Sequence, residues 1–171
     1  MPMLLLALAC TPDPEPPVDS EPVDDSEAPG TGTGVGDIAP ELSAEDADGN
    51  EYTLGQERTI VLITPMWVPN WQDVVRDVDA FYLERGADIR AWDVLVEDLS
   101  GELPDQDDAA IWRESLGLSM PVLTASEKVH ADWFDPAVGP FVVVVDEGVI
   151  TWRATVDGYS REALVNAWDA R

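Results

Sequence analysis

The stretch Thr64-Pro65-Met66-Trp67-Val68-Pro69-Asn70-Trp71 is placed like an active-site loop. The apolar run Ile60 to Ile63 precedes it, and a helical pattern starts at Trp71. In open α/β folds, sites lie at the carboxyl ends of strands. The side chains do not match the placement. Thr64 is the hydroxyl nearest the loop and has no neighbouring base to activate it, so a backbone-capping role is expected of it. Elsewhere the reactive inventory is short. Cys10 is the single cysteine and His130 the single histidine. That excludes an intrachain disulfide, a cysteine-clustered zinc or iron–sulfur site, and a multi-histidine metal centre. Carboxylates are plentiful but fall in no ligand spacing, so neither metal nor cofactor is expected. Asp46, Asp48 and Asn50 could suggest a calcium loop. They lack the spacing before Gly49 and the distal glutamate of an EF-hand, so they read as a hairpin turn. His130 falls on a short predicted helix far in sequence from the loop. It reads as a surface or half-buried histidine rather than a catalytic one.

Composition narrows the function classes. The 171 residues carry a formal charge of −26. Phosphate binding needs a basic face, so nucleic acid is excluded as a partner, and docking on anionic headgroups is disfavoured. Such acidity fits a salty habitat or a surface that resists association. The 45% apolar content is enough for one core, and seven tryptophans should supply some of its anchors.

The elements that would position the loop follow from periodicity. Residues 1–10 read as the remnant of a secretory signal, an apolar run ending in small residues. Leu6-Ala7-Leu8-Ala9-Cys10 resembles a bacterial lipobox, which makes Cys10 the expected lipid attachment site. No Lys or Arg precedes the run, and it is shorter than a usual signal core; a start codon assigned too far downstream would explain both. Residues 11–34 read as a disordered acidic tether, with six prolines and seven acidic residues between positions 11 and 30 and no basic one. Residues 35–171 form the expected domain. Asp48-Gly49-Asn50 joins a hairpin. Ile60 to Ile63 is a strand buried on both faces. Trp71, Val74, Val75, Val78, Phe81 and Tyr82 share one helical face, and Gly86 stops that helix. A strand through Trp92 to Val96, a helix over 107–116 and a short extended piece near Val122 follow. A short helix over 127–134, strands over 141–145 and 149–156, and a final helix capped by Ser160 complete the chain. The order predicts an α/β fold, a mixed sheet flanked by helices with an N-terminal hairpin extension.

Four pieces, in order, carry a family resemblance. Val35-Gly36-Asp37-Ile38-Ala39-Pro40 with Asp48-Gly49 and Leu54 is the first. Trp67-Val68-Pro69-Asn70-Trp71 after a buried strand is the second. Leu116 to Leu123 and Val138 to Ile150 are the others. Together they resemble the thioredoxin-like superfamily, in particular its extracytoplasmic peroxiredoxin-type and cytochrome-maturation-type thiol proteins with a redoxin domain. The resemblance implies a CxxC redox motif in which Val68 and Trp71 occupy the two cysteine positions, while Trp67 and Pro69 match. It also implies a cis bond before Pro140, beside the motif, where the backbone at Gly139 could pair with an extended peptide.

Thiol–disulfide exchange needs a thiolate, which neither valine nor tryptophan supplies. No catalytic residue is therefore expected. The expectation is a redox-inactive binding or scaffold module on a bacterial cell envelope, lipid-anchored and facing the periplasm or the surface. A protein or peptide partner would meet Trp67, Val68, Pro69, Asn70, Trp71, Gly139 and Pro140. Trp71 could alternatively just fill the core. Two other readings stay open: a thiol–disulfide oxidoreductase or peroxiredoxin-type antioxidant protein by family membership, and a purely structural envelope lipoprotein.

Overall fold

The computed structural model describes residues 30–170. Cys10 and residues 11–29 lie outside them.

The apolar run at the centre of the sequence is the centre of the sheet. Strand β3 (Thr59–Pro65) is buried at every residue. It pairs in parallel with β4 (Ala91–Glu97) and antiparallel with β6 (Phe141–Asp146). Beyond β4 come β5 (Val122–Thr124), then the hairpin β1 (Ser43–Asp46) and β2 (Glu51–Thr53); beyond β6 comes β7 (Val149–Thr155). The seven strands run in the order β2-β1-β5-β4-β3-β6-β7. The sheet is mixed, as the order of elements predicts.

Helices cover both faces because alternate strand residues are apolar on both. Ile60, Leu62, Val142 and Val144 face α1 (Trp71–Arg85), α2 (Gln106–Leu116) and α4 (Arg161–Asp169). Val61, Ile63, Val143 and Val145 face α3 (Glu127–Trp133). The capping chemistry is local. Ser160 Oγ accepts from the Ala163 N–H, and Asp105 and Asp108 form a reciprocal capping box at α2. Gly86 and Gly117 end α1 and α2 with φ of 61° and 69°, where a side chain would be strained.

The Asp46 turn is a turn. Asp46 Oδ1 accepts from the backbone N–H groups of Asp48 and Asn50, at 2.9 Å each. Burial pushes the Asp46 carboxyl up, but the hydrogen bonds from Asn50, Asp48 and Tyr52 outweigh it and hold the group below its ordinary value.

Two features fall outside the sequence expectations. Gly30 to Gly34, read as the end of the tether, pack on the domain: the Ile38 N–H donates to Gly30 O at 2.8 Å and the Gly32 N–H to Ile38 O at 3.0 Å. The same segment runs along β7, with Gly36 N–H donating to Ile150 O and Ile150 N–H to Asp37 O. Arg58 is the second. Its guanidinium donates to the carbonyls of Ala167, Trp168 and Ala170 at 2.7–2.9 Å and lies 3.5 Å from Asp146. A cation there satisfies the orphan carbonyls of α4 and complements its dipole. Arg58→Met should therefore cost about 2–3 kcal/mol in urea unfolding. It should also raise amide exchange in α4 selectively; uniform exchange across α1 and α4 would show that Arg58 does not anchor that helix.

Candidate functional site

Register brings the loop and the Pro140 segment together. Ile63 with Phe141 is the last pair of the β3–β6 ladder, so Thr64-Pro65 and Gly139-Pro140 leave it at the same end of the sheet. The Met66 N–H donates to Glu97 O at 2.9 Å, which fastens the start of the loop to the end of β4. Val68 to Trp71 is a tight turn, with the Trp71 N–H on Val68 O. Asn70 precedes α1 but makes no side-chain cap.

The two cysteine-matching positions differ in kind. Val68 is half-buried, whereas Trp71 is wholly buried. Of the two roles open to Trp71, the core role is the one it takes. Its indole Nε1–H donates to Thr64 Oγ1 at 2.8 Å, and Thr64 Oγ1 hydrogen-bonds to Asp93 Oδ1. The other carboxylate oxygen, Oδ2, accepts from the Trp112 indole at 2.8 Å. Thr64 therefore bridges buried side chains and does not cap backbone. Asp93 has no exposed surface. Burial pushes its carboxyl up to about 6, against the opposing hydrogen bonds from Thr64 and Trp112.

Trp67 alone of the loop aromatics reaches solvent, at 44% exposure. Its indole donates to Glu97 Oε2 at 2.7 Å. Glu97 Oε1 lies 3.6 Å from His130 Nε2, and the His130 ring stands edge-on to Phe134. So the sheet brings His130, remote in sequence, to the same carboxylate as Trp67. Exposed Leu99 and Leu103 follow β4, and exposed Val138 precedes β6, at this same end of the sheet.

The Pro140 expectation is corrected. No cis peptide bond occurs among the described residues, so Gly139–Pro140 is trans. Gly139 takes φ of 77° and spends its N–H on Asp135 O at 3.0 Å. Pro140 has no N–H to offer. The backbone donors that would pair with an extended peptide are thus used or absent.

Sequence reasoning missed Asp93, Glu97 and Trp112 as partners of the loop. Asp93 could have been noticed: a lone carboxylate inside Ala91-Trp92-Asp93-Val94-Leu95-Val96 must find donors if that run is a buried strand. Glu97 and Trp112 carry no comparable signal.

A parallel β3-α1-β4 unit joined to an antiparallel β6-β7 hairpin, with the loop at the head of α1, is the thioredoxin-like fold. No protein-family model and no curated protein matches the chain. Solved structures do. A candidate protein disulfide isomerase from Bacteroides thetaiotaomicron matches with a TM-score of 0.65 at 16% identity, over 78% of this chain and 86% of that one. A peroxiredoxin-like protein from Aquifex aeolicus matches at 0.62 and 15%, over 80% and 86%. An exposed lipoprotein thioredoxin from Streptococcus pneumoniae matches at 0.60 and 19%, over 74% and 96%. These are likenesses of fold, and the domain is thioredoxin-like in architecture with no cysteine at either motif position.

The sign of the Asp93 effect is fixed by its raised folded value. The folded state holds the proton more tightly, so the stability it contributes is full below about pH 4 and is lost as pH rises through about 6. The loss should amount to roughly 3 kcal/mol in urea unfolding between pH 4 and 7. Asp93→Asn should flatten that slope while lowering stability at acid pH, because its amide cannot accept from both Thr64 and Trp112. An unchanged slope would place the titration elsewhere.

Proposed function

We propose that this chain is a redox-inactive thioredoxin-like domain serving as a binding module on a bacterial cell envelope, tethered by a lipid on Cys10. The observation that carries the reading is the fate of the motif. The position matching the second cysteine holds an indole buried in a hydrogen-bonded core network, so the loop is a fixed platform. A thiolate nucleophile is lacking at both positions, and exchange chemistry has no electron source there. What remains accessible is Trp67, held by Glu97 and accompanied by Val68, Leu99, Leu103 and Val138. A rigid aromatic among apolar neighbours is the composition of a protein-binding hot spot. With Gly139 N–H occupied, contact through side chains fits better than strand pairing.

Anchoring rests on the lipobox-like Leu6 to Cys10 and the acidic Pro-rich stretch after it. The fold neighbours include a protein described as an exposed lipoprotein, which is consistent with an extracytoplasmic place.

Purified protein should show insulin-disulfide reduction and peroxide consumption at background rates; turnover above background would reject the non-catalytic reading. Trp67→Ala should lose partners recovered from envelope extracts and leave the melting temperature within about 2 °C, since Trp67 is largely exposed. Trp71→Ala should instead destabilise by about 3–5 kcal/mol. Partner recovery unchanged in Trp67→Ala would exclude the loop as the binding face. Palmitate labelling should vanish in Cys10→Ser, and persistent labelling would refute the anchor.

A further inference from the structure

The cations of this chain are few, and nearly all are spoken for. Among the described residues Arg58, Arg76, Arg85, Arg90, Arg113, Lys128 and Arg161 each pair with a carboxylate. Arg153 pairs with none of the described residues, in a chain with 35 acidic residues. It sits on β7 opposite Val143, on the sheet face covered by α3. Its guanidinium carbon lies 4.1 Å from the centre of the Phe141 ring, and its buried Nε has no hydrogen-bond partner. Arg153 is half-buried, with its Nε shut off from solvent, and the cation–π contact offsets only part of that cost. Burial also lowers its pKa. With no carboxylate partner among the described residues, its guanidinium is free to take one from outside.

The space for that partner is present. Arg153 lines a cavity of about 170 Å³ together with Thr33, Trp133, Phe134, Val138 and Phe141. A cavity of about 150 Å³ with apolar walls accepts a benzene-sized body. Two carboxylates also line it, and both are engaged. Asp132 pairs with Lys128 at 3.0 Å, and Asp135 Oδ1 accepts from the Ala137 N–H at 2.9 Å. Their charge still opposes a dianion, which selects against phosphate esters and dicarboxylates.

We propose that Arg153 and the cavity beside it form a binding site for a small monocarboxylate with an apolar, aryl-sized body. The carboxylate takes the two-pronged face of the guanidinium. The body packs at the mouth, on Val138, Thr33 and the edge of Phe134. The site shares Val138 with the Trp67 surface, but its test reads Arg153 and a small ligand, so it stands or falls separately from the binding-module reading.

The test uses the full chain at pH 8, following the Trp133 indole and Arg153 Nε–H resonances. Phenylacetate should shift both saturably. Benzyl alcohol, equal in size but uncharged, and phenyl phosphate, a dianion at this pH, should each bind at least about tenfold more weakly. Arg153→Gln should weaken phenylacetate binding by about tenfold or more and raise the melting temperature, because the unpaired charge is gone. Arg153→Lys, which keeps the charge but loses the fork, should retain the fold and bind at an intermediate level. Equal affinity for phenylacetate and benzyl alcohol, tight binding of phenyl phosphate, undiminished binding in Arg153→Gln, or no shift with phenylacetate at millimolar concentration would each overturn the proposal.

Discussion

A carboxylate buried on a central strand with neighbours on both sides must be satisfied by side chains, because the strand's backbone groups are already paired. Asp93 imposes that constraint, and the loop is built around the answer to it. Thr64 and Trp112 take its two oxygens, and Trp71 takes the remaining capacity of Thr64. These donors come from the end of β3, the start of α1 and the inner face of α2. One acid therefore sets how three elements meet. It also explains why a tryptophan is accommodated at a position where the resembled motif has a cysteine: the indole N–H has a partner, and the ring belongs to the core cluster that includes Leu62 and Val75. The inner side of the loop is shaped by the need to satisfy Asp93.

Much of this was legible in the residues. The β-branched run, the 3.6-residue spacing from Trp71 to Tyr82, Gly86 and Ser160 place their elements to within a residue or two, because each signal acts locally. The loop's position followed from the order of those elements. What could not be read was which side chains the sheet brings together. Periodicity places Trp71 on an inner face, yet only the pairing of β3 with β4 reveals that Asp93 lies within reach. The approach of His130 to Glu97 depends on α3 crossing the far face, and nothing in the spacing of those residues encodes it. The trans Gly139–Pro140 bond departs from what the motif likeness implies, and the Gly139 contact with Asp135 occupies the donor concerned.

The charge distribution divides the same way. Most ion pairs are exposed and contribute little individually. Arg58, Arg153 and Arg161 are drawn partly inward, and Arg58 and Arg153 differ in kind. Arg58 is surrounded by helix-end carbonyls, an arrangement that serves the fold. Arg153 meets only a ring face and a cavity, which serves no evident structural end.

The arm from Gly30 to Ala39 has a mechanical consequence. A pull entering at Gly30 meets first the arm's own bonds to Ile38, then those from Gly36 and Asp37 to Ile150, then that from Ala39 to Gly148. Bonds loaded one after another yield at lower force than bonds sheared together. None of those bonds reaches β3 or its buried network, so the arm can loosen from β7 without disturbing the core.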